Sequence, residues 1–156
     1  MKKKTCCFSG HRNLPSSKRE TIAERLNEEI EKLIMSGVKD FISGAALGFD
    51  LMAASIVTDK KERGENVKLI FALPCKNHDL LWNEGQKKWY RALRQKADEV
   101  IYVSDRYDSC CMKRRNEYMV ARSAHCIYAL THEKSGTGQT VRLARKNGLS
   151  LIRIGF

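Results

Sequence analysis

Two kinds of apolar pattern alternate along the chain. Short, nearly continuous apolar blocks are separated by longer stretches in which apolar residues recur every three or four positions. The first kind predicts buried strands and the second amphipathic helices. Strands are predicted at 5–9, 40–43, 67–73, 99–103, 125–130 and 149–154. The first helix is read from a capping box, Ser17-Lys18-Arg19-Glu20, with Ile22, Leu26, Ile30 and Leu33 on one face and Gly37 as its stop. Further helices are predicted over 51–63, over 79–96, from a Ser109 cap through Arg122, and over 140–146. The 79–96 segment carries Leu81, Trp82, Trp89, Tyr90 and Leu93 at helical spacing, interrupted by Gly85.

Strands alternating with helices require crossover connections, hence a parallel sheet with both faces covered. The unbroken hydrophobicity of 67–73 and 100–103 fits strands buried on both sides. With right-handed crossovers, the expected fold is α/β: a single Rossmann-like doubly wound domain over residues 1–156, with a mostly parallel sheet of about six strands and helices on both faces.

Composition adds charge to that picture. Hydrophobic residues make up 42% and charged residues 30%, which excludes a disordered or collagen-like chain. Twenty-nine Lys and Arg against 18 Asp and Glu leave a formal net charge of +11, favouring phosphate-bearing or polyanionic partners. No apolar run approaches bilayer length, and the block after Lys2-Lys3-Lys4 is too short for a signal peptide, so a cytoplasmic protein without membrane contact is expected. The six cysteines (6, 7, 75, 110, 111, 126) include no Cys-x-x-Cys, so buried reduced thiols are expected and no metal site.

In a doubly wound sheet, ligands bind beyond the carboxyl ends of the strands. Four post-strand segments carry suitable chemistry. Gly10-His11-Arg12 combines a tight turn with a titratable donor and a permanent cation. Ser43-Gly44-Ala45-Ala46-Leu47-Gly48-Phe49-Asp50 runs into a helix whose free amides suit an anion. Lys113-Arg114-Arg115-Asn116 sets three cations at a helix start, against the dipole, where an anion would relieve them. Lys134-Ser135-Gly136-Thr137-Gly138-Gln139-Thr140 again joins glycines and hydroxyls to a helix start. Pro74 ends the third strand beside these loops, and Trp82 follows as a wall of the pocket. The two tryptophans and Tyr90 otherwise read as core or interface groups.

These residues resemble a known family. The loop 43–50 is similar to the Ser-Gly-x-Ala-x-Gly-(hydrophobic)-Asp loop of DprA/Smf proteins. Arg114-Arg115-Asn116 with Arg122-Ser123, and the turn 135–140, match the two motifs that follow it in that family. Together they resemble the SLOG superfamily (SMF/DprA and LOG). Cys7-Phe8-Ser9-Gly10-His11-Arg12, Leu73-Pro74-Cys75 and Trp82 are most similar to its YpsA-type branch.

The resemblance implies a site for a nucleotide or nucleotide-derived ligand. Phosphate would lie at Gly44, Gly136, Thr137, Gly138 and Thr140, with charge neutralised by Arg12 and Arg115. Asp50 and Asn116 would orient sugar or base, and Gly10, His11, Ser43, Ala45, Gly48, Pro74 and Ser135 complete the expected site. Two alternatives stay open. One is a nucleotide-processing hydrolase using Asp50, Glu84 or His11, although Thr140 stands where LOG phosphoribohydrolases carry a glutamate. The other is single-stranded DNA binding in the DprA manner. Relatives of this superfamily also imply a homodimer.

Overall fold

The computed structural model describes residues 2–130 and 135–155. Six strands form one sheet: β1 (Thr5–Gly10), β2 (Asp40–Ser43), β3 (Lys68–Leu73), β4 (Glu99–Tyr102), β5 (His125–Ala129) and β6 (Ser150–Arg153). Their spatial order is β4-β3-β2-β1-β5-β6, and every neighbouring pair runs parallel. The chain steps outward from β1 to β4, then returns to the other side of β1 for β5 and β6. The switch in winding direction therefore lies between β1 and β5.

Five helices connect the strands: α1 (Arg19–Met35), α2 (Phe49–Glu62), α3 (Glu84–Lys96), α4 (Cys111–Ala121) and α5 (Gly136–Lys146). Right-handed crossovers place helices on opposite faces when the winding direction reverses. Two separate apolar clusters follow from this. On one face Ile22, Leu26, Ala54, Val57, Tyr90 and Leu93 of α1–α3 pack against Phe8, Phe41, Leu69 and Phe71 of the sheet. On the other, Met119, Val120 and Ala144 of α4 and α5 pack against Cys7, Ile42, Ile70 and Cys126. Alternation along β1 sends Cys6 and Phe8 to the first cluster and Cys7 to the second. All six cysteines carry free thiols, and five of them are buried.

Strands lie close to where the apolar blocks put them, whereas all five helix starts differ, α2 beginning at Phe49 rather than at 51. Ser16–Lys18 form a 3₁₀ turn closed by Lys18 N–H donating to the Pro15 carbonyl at 2.9 Å. Ser17 is consumed inside that turn, so its capping box does not form, and α1 begins at Arg19 without a side-chain cap. The segment 79–82 is also a turn, with Trp82 N–H bonded to the Asp79 carbonyl. Asn83 and Gln86 then make the reciprocal capping box that starts α3. Gly85 consequently lies in the first turn rather than breaking a helix interior. Ser109 does not cap α4; the Asp108 carboxylate instead accepts from Cys110 N–H at 2.8 Å, one residue before the helix. Finally, α5 starts at Gly136, not at 140, because Ser135 caps it by accepting from Gly138 N–H at 3.0 Å.

The loop after β1 is pinned to the start of α2. Phe49 N–H donates to the His11 carbonyl at 3.2 Å, and Gly48 has φ +81°. A Cβ on Gly48 would stand 2.2 Å from the Arg12 carbonyl oxygen and 2.6 Å from that of His11. Gly48→Ala is therefore expected to cost at least about 2 kcal/mol of unfolding free energy. Gly64→Ala, at a similar positive φ but with open space around it, should cost about 1 kcal/mol. Urea denaturation of the two variants checks the difference; equal losses would show that this loop can move aside.

Candidate functional site

A hollow of about 310 Å³ opens at the carboxyl ends of the central strands, at the switch in winding. Gly10, His11 and Arg12 line it from the end of β1, and Gly44, Ala46 and Asp50 from the β2–α2 connection. Pro74, His78 and Trp82 close the β3 side. Met112, Arg115 and Asn116 of α4, with Gly136 and Thr137 of α5, close the other. Three of the four sequence segments contribute side chains or backbone as expected, and the fourth does so through the first turn of α5.

Arg115 holds these parts together. It is 6% exposed, yet its guanidinium reaches across the sheet end and donates from Nη1 to the Gly44 carbonyl at 2.5 Å. Its Nε donates to Asn116 Oδ1 at 2.8 Å. The approach to Gly44 needs the missing side chain: a Cβ there would lie 2.6 Å from Nη1. Burial pulls the guanidinium pKa down, and the negative charge of Asp50 opposes that shift. Arg114, the neighbouring cation, is directed elsewhere. It donates to Ser104 Oγ at 3.0 Å and pairs with Asp108 at 2.6 Å, so an internal carboxylate relieves part of the charge crowding at this helix start.

Asp50 sits in the first turn of α2, where the helix dipole favours a carboxylate. It is 5% exposed, and the nearby Ala46 backbone amide favours its charged form. Its Oδ1 is buried without a hydrogen-bond partner. Arg115 acts on it through space, since the two do not form one of the ion pairs of the described residues. Desolvation outweighs that attraction and raises the carboxyl pKa from 3.8 to about 6.

The β3 side of the hollow is aromatic. His78 meets the rings of Trp82 and Tyr90 edge-on, at 5.2 and 4.9 Å between centroids. Burial lowers its pKa to about 4, with Asp79 acting in the other direction, so the imidazole is neutral at physiological pH. His78 was not among the residues expected from sequence, because 79–96 read as one helix and hid the turn that carries it. A titratable residue just past the end of β3 was the available signal.

Several expected site residues serve the scaffold instead. Ser43 Oγ donates to the Asp50 carbonyl at 2.8 Å and accepts from Ala45 N–H at 3.2 Å, which fixes the β2–α2 loop. Ala45 is buried in the core at φ +58°, and Gly48 packs under the β1 loop. Ser135 Oγ accepts from Gly138 N–H, and Thr140 Oγ1 donates back to the Gly136 carbonyl at 3.0 Å. None of these six lines the hollow. Glu84 is exposed in the first turn of α3 and borders a different groove, which separates it from Asp50 and His11. Lys134 lies outside the described residues. The amides of Gly136 and Thr137, by contrast, begin α5 at the hollow's edge.

The profile of the YspA SLOG family (YpsA) matches residues 9–147, which includes all of the lining residues named above. The chain belongs to that family. Among relatives, it is 33% identical over 141 residues to the SPbeta prophage-derived protein YoqJ of Bacillus subtilis, covering 82% of each chain. Two solved structures of DNA processing protein A share the fold. The Streptococcus pneumoniae protein superposes with a TM-score of 0.68 at 14% identity over 97% of this chain. The Helicobacter pylori protein, whose structure describes a single-stranded DNA binding mode, gives 0.67 at 20% identity over 96%. The chain spans 50% and 64% of those two proteins respectively. Among the described residues, no helix is long and apolar enough to cross a membrane.

The raised Asp50 pKa has a consequence for stability. The folded protein holds this proton more tightly than the unfolded chain, so the ionised carboxylate destabilises the fold. That cost is absent below about pH 4 and grows as pH rises through 6. Asp50→Asn is expected to raise unfolding free energy at pH 7 by roughly 2 kcal/mol and to change it little at pH 4. Denaturant titrations at the two pH values test this; a loss at pH 7 would mean that the carboxylate already has a compensating donor.

Proposed function

We propose that the hollow binds a nucleotide-derived small molecule carrying a phosphate. The observation that carries this reading is a buried carboxyl, Asp50, and a buried guanidinium, Arg115, lining one hollow at the switch in winding. A hydroxyl on a ligand is the kind of donor a carboxyl group accepts from. A ribose supplies such donors. The first amides of α5, at Gly136 and Thr137, suit a phosphate, and Arg12 adds an exposed cation at the rim. Pro74, Trp82 and Met112 offer apolar surface to a base. Family membership supports a nucleotide-related role. Binding is favoured over LOG-type hydrolysis, because Thr140 stands in place of the catalytic glutamate and points its hydroxyl into its own helix.

Calorimetric titration with AMP tests the reading. Binding below about 1 mM is expected, weakened about tenfold by Asp50→Ala. Absence of binding by AMP and the other mononucleotides at several millimolar would remove it.

A second reading, single-stranded DNA binding, is favoured by a groove between α4 and α5 that adjoins the hollow at Asn116. Lys113, Arg142 and Lys146 line it against one acidic residue, Glu117. If DNA follows that groove, the affinity of a labelled oligonucleotide falls about tenfold or more between 50 and 200 mM salt, and Lys113→Gln with Lys146→Gln flattens the dependence. A salt-insensitive or undetectable interaction would discard this reading.

A further inference from the structure

A second hollow, of about 700 Å³, lies against the first. It is bounded by the β1–α1 loop, the start of α2, the turn before α3 and the first turns of α3. Arg12 and Trp82 line both hollows, so the two share one wall and one cation. The chemistry of the second is distinctive. Its charged residues are Arg12 and Arg19, with no carboxylate among its lining. Trp89 lies on it at 40% exposed, and Leu81 at 95%.

The capping box of α3 also faces this space. Asn83 and Gln86 use their side-chain oxygens to accept from each other's backbone N–H. Both side-chain NH₂ groups are thereby left available to an outside acceptor. The second hollow thus joins aromatic surface, two cations and two amide donors, next to a first hollow near the lower limit of small-molecule sites.

We propose that the ligand is bipartite. A nucleotide occupies the first hollow, and a phosphate or pyrophosphate bridge passes Arg12. A second ring-bearing half then lies in the other hollow against Trp89. This rests on the nucleotide reading above and names the class within it: dinucleotides rather than mononucleotides. Continuity decides for this occupant. Arg12 lines both hollows, where the bridge must cross, and the absence of carboxylates from the lining of the second suits a phosphate-bearing ligand. The exposed tryptophan offers a face on which any planar ring stacks.

The test compares AMP, NAD⁺ and diadenosine diphosphate by calorimetry on the wild type, Trp89→Ala and Trp89→Phe. At least one of the two dinucleotides is expected to bind about tenfold more tightly than AMP. Trp89→Ala should abolish that advantage while leaving AMP affinity unchanged, and Trp89→Phe should keep most of it. Two results overturn the bipartite ligand while leaving the nucleotide site standing. One is AMP binding as tightly as both dinucleotides. The other is Trp89→Ala converting a dimer to a monomer in sedimentation without altering any affinity, which assigns the patch to a second copy of the chain. Failure of all three nucleotides to bind removes the site itself and this extension with it.

Discussion

Burying a guanidinium is expensive unless its donors are met, and the arrangement around Arg115 is organised by that requirement. The Gly44 carbonyl and Asn116 Oδ1 take two of its donors, while the Asp50 charge lowers the cost of keeping it ionised. Each of those groups comes from a different part of the chain. Gly44 follows β2, Asp50 opens α2, and Asn116 is on α4 across the switch in winding. One side chain therefore ties the two halves of the sheet together at the carboxyl ends of the central strands. Gly44 is glycine because the guanidinium occupies the space of a Cβ.

Asp50 is the complementary element. A carboxylate held in a buried place with one oxygen unpaired destabilises the fold, and such local cost clusters at functional sites. The opposed charges of Asp50 and Arg115 remain apart instead of closing onto each other, and both residues line the hollow. Neutral His78, wedged edge-on between Trp82 and Tyr90, gives the same hollow an apolar flank without adding charge. The hollow thus joins buried charged groups to apolar and aromatic surface.

The sheet was legible from pattern because parallel strands are buried on both faces, and burial leaves continuous apolar blocks such as 67–73. Helix starts were less legible. Ser17 and Ser109 are good cap residues that lost to local competitors, a Pro15-closed turn and the Asp108 carboxylate. The true capping box, Asn83 with Gln86, lay within a stretch whose apolar spacing already read as helix. Residues of one motif also divided between roles. In 43–50, Gly44, Ala46 and Asp50 reach the hollow, whereas Ser43, Ala45 and Gly48 hold the loop that presents them.

The sequence alone determined the class of fold, and it singled out Gly44, Asp50 and Arg115, which the structure brings to one hollow at the carboxyl ends of the strands. Periodicity and strand-to-loop order are local properties of the chain, and the rule that ligands sit beyond strand ends converts them into a location. Only the tertiary structure decided that Arg115 is buried while Arg114 pairs with Asp108, and that Asp50 keeps an unpaired oxygen. It also brought His78 to the hollow and set Trp89 beside a neighbouring one. Those outcomes depend on desolvation and on which distant groups come within hydrogen-bond reach, and neither quantity exists until the crossovers have brought separate loops together.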